Sequence, residues 1–269
     1  MGTESIEASF LSIFALISFF IFLLVSKFSH KMRGGALLDK DFLKPQAFHD
    51  TPITRSGGVA AIISLSFFFI IYYLLYAKIL YDYIFVSYSV FLIGFLDDIR
   101  INIKPLKRLL IMVFALFIII YFLPIRILNI DIPFLTSLMS NHIFSSIFVL
   151  LCFLFVINGA NLIDGFNGLL TINLIIINIV LTYININNLN FEFSILIVSQ
   201  IIILLSFLLF NFPTAKIFLG DSGAYTMGAL TSLNTIITNN LNPEISSFFF
   251  CTLLFYLFFE VFFSFFRKI

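Results

Sequence analysis

An all-α, polytopic membrane bundle of about nine helices is the fold class this sequence predicts, and three observations predict it. Hydrophobic residues fill 61% of the 269 positions and charged residues only 11%, where a soluble domain carries about a quarter charged. The apolar residues gather into runs close to the roughly 20 residues that cross a hydrocarbon core. Those runs lack the period-two alternation of a barrel strand, and in lipid only a helix or a closed barrel satisfies its own backbone.

In chain order the predicted spans are 8–26, 57–75, 80–96, 108–124, 143–158, 168–184, 193–210, 223–238 and 246–266. The first follows Glu4 and Glu7 rather than a basic stretch, so it reads as a retained span and not a cleaved signal. Pro45 and Pro52 keep the approach to the second extended, and Gly57-Gly58 open it. The third runs into Asp97-Asp98, and Arg108 sits at the edge of the fourth. The fifth and sixth flank a polar stretch from Asn158 to Gly168, and the Asn-rich segment 185–190 is a short loop before the seventh. Asp221-Ser222 lead into the eighth, and the ninth carries Glu260 and ends in Arg267 and Lys268. A helical membrane bundle packs as one unit, so residues 1–269 read as a single integral-membrane domain.

Basic residues orient the spans. Lys27, Lys31, Arg33, Lys40, Lys44 and Arg55 precede the second span; Arg100, Lys104, Lys107 and Arg108 follow the third; Lys216, Arg267 and Lys268 fall on the same side. Only Lys78 and Arg126 fall opposite. The basic side is cytoplasmic and the N-terminus outside. A net charge of +1 leaves no electrostatic footprint for nucleic acid. Cys152 and Cys251 both lie in apolar segments, which argues against a disulfide framework or a thiolate metal site.

Four polar motifs then fall on the cytoplasmic side. Lys44 to Gly58 ends in a Gly pair at a helix start, where free N–H groups favour anions; taken alone, a basic, orienting loop with a glycine helix entry is the plainer reading of the same residues. Gly94-Phe95-Leu96-Asp97-Asp98, followed by Lys104, Lys107 and Arg108, sets hard oxygen ligands beside cations, as Mg²⁺ with a phosphorylated ligand requires. A solvated helix end with paired acids is the plainer account. From Asn158 to Gly168 an amide or carboxylate recurs every third residue, at Asn158, Asn161, Asp164 and Asn167. That spacing lines up along a helical turn, and amides offer donors and acceptors to a sugar or uracil edge. Asp221, in a Gly-bounded turn opening a helix, suits a metal-bridged diphosphate or a simple N-cap. Coincidence explains one such loop easily and four on one face poorly.

The order Pro52-Ile-Thr-Arg-Ser-Gly-Gly58, Gly94-Phe-Leu-Asp-Asp98, Asn158-Gly-Ala-Asn-Leu-Ile-Asp-Gly-Phe-Asn-Gly-Leu169 and Asn211-Phe-Pro-Thr-Ala-Lys-Ile-Phe-Leu-Gly-Asp-Ser-Gly223 resembles the polyprenyl-phosphate N-acetylhexosamine-1-phosphate transferases. The resemblance implies transfer of a sugar 1-phosphate from a UDP-N-acetylhexosamine to polyprenyl (undecaprenyl) phosphate, with release of UMP and Mg²⁺ (or Mn²⁺) as cofactor, at the cytoplasmic face of a bacterial inner membrane. It implies Asp97, Asp98 and Asp164 as catalytic acids and Asp221 with Asp97 as metal ligands. Asn158, Asn161, Asn167, Thr54 and Arg55 stand in the implied substrate-binding set, with Phe218 near the uracil. Lys104, Lys107 and Arg108 fall near a basic position of the family, without the spacing selecting one. Asn167 replaces a second Asp of many members, which weakens a nucleophile at that place. The family also carries a His-rich cytoplasmic loop beyond the span that finishes in basic residues. Ile269 comes before it, so the chain reads as truncated from ten or eleven helices.

The expected chemistry is direct in-line attack of the lipid phosphate, already largely ionised with a second pKa of about 6, assisted by positioning and charge neutralisation. The rival readings are a transporter, whose site would lie near the midplane, and a catalytically inactive truncated homologue. The glycan pathway stays open, and a homodimer is an expectation drawn from relatives alone.

Overall fold

The computed structural model describes residues 2–29, 37–39, 52–99, 101, 103–123, 125–128 and 130–267. Among them are eleven helices: α1 (Gly2–Phe28), α2 (Gly57–Tyr76), α3 (Tyr81–Asp98), α4 (Pro105–Phe122), α5 (Pro133–Met139), α6 (His142–Ile163), α7 (Leu169–Asn187), α8 (Phe191–Asn211), α9 (Gly220–Leu241), α10 (Ser247–Leu253) and α11 (Phe255–Phe266). Two-residue strands β1 (Leu38–Asp39) and β2 (Ile53–Thr54) pair antiparallel, Leu38 opposite Thr54. The basic loop residues Lys31, Arg33, Lys40, Lys44, Arg100 and Lys268, together with His30 and His49, lie outside the described residues.

Each predicted span meets a helix, with one difference at the end. The ninth is broken between α10 and α11, which diverge by 61°. Six helices are long and apolar enough to cross a membrane, seven if the bent pair counts as one. The chain is thus a multi-pass helical membrane protein. α3 and α9 are helices outside that set. α3 carries Asp82, Asp97 and Asp98, and α9 is rich in Thr, Ser and Asn.

The polarity of α9 has a structural cause. Seventeen of its 22 residues are buried, because α2, α3, α6 and α7 pack around it. A helix shielded from lipid on all sides needs no apolar surface. Its polar groups instead bond neighbours. Asn178 donates to Thr231, and Asn234 donates to both Asn178 and Gln200. Gln200 donates to Thr231, and Tyr83 donates to Asn234 at 2.6 Å. One heptad on, Asn185 donates to Thr238. Beyond the four polar motifs at one end, an uncharged ladder thus runs through the bundle interior. It satisfies itself between helices, as buried amides in a bundle do.

The two ends of the bundle differ. One end gathers the loops before α2, after α3, after α6 and before α9. The other holds the Lys78–Glu192 ion pair, the Asn240–Arg126 carbonyl contact and Asp131 bound to Ser246 and Ser247.

Candidate functional site

Backbone meets backbone where the site is built. Phe218 N donates to the Thr54 carbonyl, and the N–H groups of Gly57 and Gly58 donate to the carbonyls of Phe218 and Leu219 at 2.9 and 2.8 Å. A Cβ on Gly58 would lie 2.2 Å from Ser222 Oγ and 2.4 Å from Gly223 N, and one on Gly94 2.5 Å from Ser222 Cα. Only glycine permits α2 and α3 to approach the first turn of α9 this closely. The idea that the Gly pair offers free N–H groups to an anion is corrected by the same bonds: the loop before α9 already takes both.

The adjacent acids part company. Successive residues on a helix point about 100° apart, so Asp97 and Asp98 cannot share one ligand direction. Asp98 is 2% exposed. Its two oxygens accept from Asp221 N at 2.9 Å, Ser222 N at 3.0 Å and Ser222 Oγ at 2.5 Å. It is the N-cap of α9, supplied in trans by α3, and it satisfies N–H groups that a helix start leaves open. Neither capping of α9 by its own Asp221 or Ser222 nor an anion on those N–H groups agrees with this geometry. Gly220, at φ +75°, turns the chain so that its backbone passes beside the Asp98 carboxylate.

Asp97 faces the other way, into a cluster around Arg108. The Arg108 guanidinium donates from Nη1 to Asp97 Oδ2 and to Asp221 Oδ2, both at 2.6 Å. Its Cζ lies over the Tyr225 ring, 5.6 Å from the centroid, within cation–π range. Asn161 donates to Asp221 Oδ1 at 3.1 Å. Four helices thus converge: α3 brings Asp97, α4 Arg108, α6 Asn161 and α9 Asp221. Of the three basic candidates, Arg108 is the one drawn in. Lys104 and Lys107 are exposed.

Asp164 follows α6 directly and is half-buried. Enclosure away from water pushes its carboxyl well above the usual carboxylate range; the charges of Asp221 and Asp98 push the same way, and Arg55 opposes. Asp164 therefore lies within electrostatic reach of the cluster. The every-third-residue row of amides breaks, however, because α6 ends at Ile163. Asn158 donates to its own helix at Leu154, and Asn167 donates across loops to the Pro213 carbonyl. Thr54 is fully buried, its hydroxyl bonded to Ser29 and 3.1 Å from Ser56, so it supports the loop from beneath. Phe218 is half-buried beside Gly57. One residue not singled out from sequence matters here. Asn211 accepts from Gly168 N at 2.7 Å and donates to the Ile217 carbonyl at 3.0 Å, pinning the α6–α7 loop to the loop before α9. Its place at the head of Asn211-Phe-Pro was the available signal.

Two carboxylate oxygens that both reach one cationic nitrogen can also face one metal ion. Hard oxygen donors suit Mg²⁺ or Mn²⁺. Among the described residues no third His, Cys, Asp or Glu completes a ligand group. Asp97 and Asp221 therefore fit such an ion; Asp98 does not. A separate apolar cavity of about 160 Å³ lies farther along α9, at Ser232, Thr235 and Asn239, and touches both unpaired thiols, Cys152 and Cys251. It is remote from the acids and shares no residue with their cluster.

Residues 80–239 match the family model described as glycosyl transferase family 4. That stretch contains the whole cluster. The phospho-N-acetylmuramoyl-pentapeptide-transferase of Streptococcus sanguinis is 30% identical over 231 residues, 78% of this chain and 67% of that protein. The transferases of the same name from Clostridium perfringens and Orientia tsutsugamushi are each 31% identical. Their alignments cover 54% and 68% of this chain, and 48% and 59% of their own lengths. The chain thus spans between about half and two thirds of the length of these three relatives.

Proposed function

We propose, from the premise that this chain belongs to glycosyl transferase family 4, that it transfers an N-acetylhexosamine 1-phosphate from a UDP-sugar to polyprenyl phosphate and releases UMP. The observation that carries the reading is the meeting of Asp97, Asp221, Arg108 and Asn161 at one end of a membrane bundle. One substrate is water-soluble and the other lipid-anchored, so the chemistry belongs at that surface. The nine-span topology with the N-terminus outside, and a cytoplasmic site in a bacterial inner membrane, belong to the same proposal. The relatives' name, phospho-N-acetylmuramoyl-pentapeptide-transferase, makes a UDP-linked N-acetylmuramoyl peptide the first donor to try and UDP-N-acetylglucosamine the second.

Each side chain has a task that its position supports. Asp97 and Asp221 would hold Mg²⁺, which when bound neutralises diphosphate charge. Asn161 orients Asp221. Asp164, within electrostatic reach of Asp221 and Asp98, would in its ionised form accept the last proton of the lipid phosphate. Arg55 supplies positive charge beside Asp164. Asp98 works through α9, fixing the turn that carries Asp221. No covalent enzyme intermediate is needed, because a phosphate monoester is already a competent nucleophile near neutrality.

The test is UMP release by membranes bearing the chain, given undecaprenyl phosphate and each UDP-N-acetylhexosamine in turn. Lipid-dependent release that stops on chelation of divalent cations is expected. Release without added lipid acceptor, or none with any donor, would overturn the reading.

A further inference from the structure

We propose that Arg108 is a resident cation, closing the Asp97–Asp221 gap until a divalent ion displaces it, and that the displaced guanidinium then becomes the diphosphate-binding group. The inference deepens the transferase reading and rests on it.

The geometry is specific. One nitrogen of Arg108 touches an oxygen of each acid at 2.6 Å. A single nitrogen serving two carboxylates from different helices differs from the usual fork, in which two nitrogens of one guanidinium serve one carboxylate. A metal ion bridges two acids in the same way. The two cations cannot occupy that gap together, since like charges that close repel strongly.

Charge explains why the exchange is useful. Asp97, Asp98, Asp164 and Asp221 crowd one end of α9, and the proposed substrates are a diphosphate and a phosphate. While Arg108 is held by two acids, its charge is engaged and the surface repels anions. An ion that takes the gap neutralises both acids and releases a third positive charge beside them. The Tyr225 ring, 1% exposed and beneath the guanidinium, gives the freed group a face to slide over without losing its contact. Metal and diphosphate would then bind cooperatively, and the coupling must be reciprocal.

Two measurements test this on the chain purified in detergent. The first is Mn²⁺ titration, followed by its paramagnetic resonance signal, with no substrate present. Arg108→Gln should bind Mn²⁺ about tenfold tighter or more, a modest part of the Coulomb repulsion between charges 4 Å apart near a protein surface. It should also lose the increase in Mn²⁺ affinity that UDP produces in the unaltered chain. Equal or weaker Mn²⁺ binding by Arg108→Gln overturns the proposal. The second needs no variant. Phenylglyoxal modification of Arg108, located by peptide mass, should accelerate with Mn²⁺ and slow again with Mn²⁺ plus UDP. A rate that Mn²⁺ lowers or leaves unchanged overturns the proposal as well. The two readings fail separately: UMP release with an Arg108 indifferent to Mn²⁺ retains the transferase and removes the exchange. Exchange without UMP release from any donor does the reverse.

Discussion

Asp97 and Asp98 are neighbours in sequence with different circumstances. One is partly open and paired to Arg108; the other is enclosed and caps α9. Substituting the second should damage the site through the fold, since an amide at Asp98 has a single acceptor oxygen and would turn its NH2 donor toward either Asp221 N–H or the two Ser222 donors. Asp164 leads to a sharper prediction, because its activity and stability should respond in opposite directions. Its folded-state pKa is raised. A raised carboxyl binds its proton more tightly folded than unfolded, so stability is greatest at acid pH and falls as pH climbs from the ordinary carboxylate range to the folded pKa. Asp164→Asn removes that penalty. The variant should melt higher than the unaltered chain at neutral pH, by a margin that narrows as pH falls toward the ordinary carboxylate range, while UMP release drops about a hundredfold or more, as for a lost proton acceptor. Melting in detergent across pH, beside the UMP assay, checks both. A variant that melts lower at pH 7 would place Asp164 among the structural acids.

At the scale of elements, α9 is the axis on which the others are hung. Its start is held by Asp98 from α3 and by the glycines of α2; its length is tied to α7 and α8 by Asn178, Asn185 and Gln200. Interhelical hydrogen bonds of this kind average only about 0.6 kcal/mol each in membranes. The ladder therefore sets which residues of α9 face which helix more than it sets total stability. The glycine contacts are another matter. Gly58→Ala should cost roughly 1–3 kcal/mol or more, the range for forcing extra volume into packed structure, because a methyl meets Ser222 and Gly223 backbone. Gly165→Ala, with nothing within 4 Å of the added carbon, should melt within about 0.5 kcal/mol of the unaltered chain, as open surface changes do. Equal melting of the two variants would reject the close contact of α2 with α9.

For the molecule as a whole, the two ends of the bundle should be chemically distinguishable across a membrane. With Cys152 and Cys251 replaced by serine, Lys104→Cys and Lys216→Cys should react with an impermeant maleimide only in inverted vesicles. Lys78→Cys and Arg126→Cys should react in intact cells. The opposite pattern would reverse the topology and move the acid cluster outside.

Much of this was legible from sequence for a simple reason: a bilayer imposes length and apolarity on each span separately, and loop charge orients the set. The helices, the polar end and the residues Asp97, Asp221 and Asn161 follow from such local rules and from motif order. The rest depended on contacts across the bundle. The sequence did not mark Asp98 as a cap, Arg108 as the paired cation among three, Thr54 as a buried support or Asn211 as a loop pin. Each role depends on a partner distant in sequence: Ser29 is 25 residues from Thr54, Gly168 43 from Asn211, Asp221 113 from Arg108 and Ser222 124 from Asp98. α9 is the clearest instance. The sequence marks a helix there, but its Thr, Ser and Asn residues leave it outside the set apolar enough to cross a membrane; only the packing of α2, α3, α6 and α7 around it, which removes lipid, makes that polarity a condition of the fold.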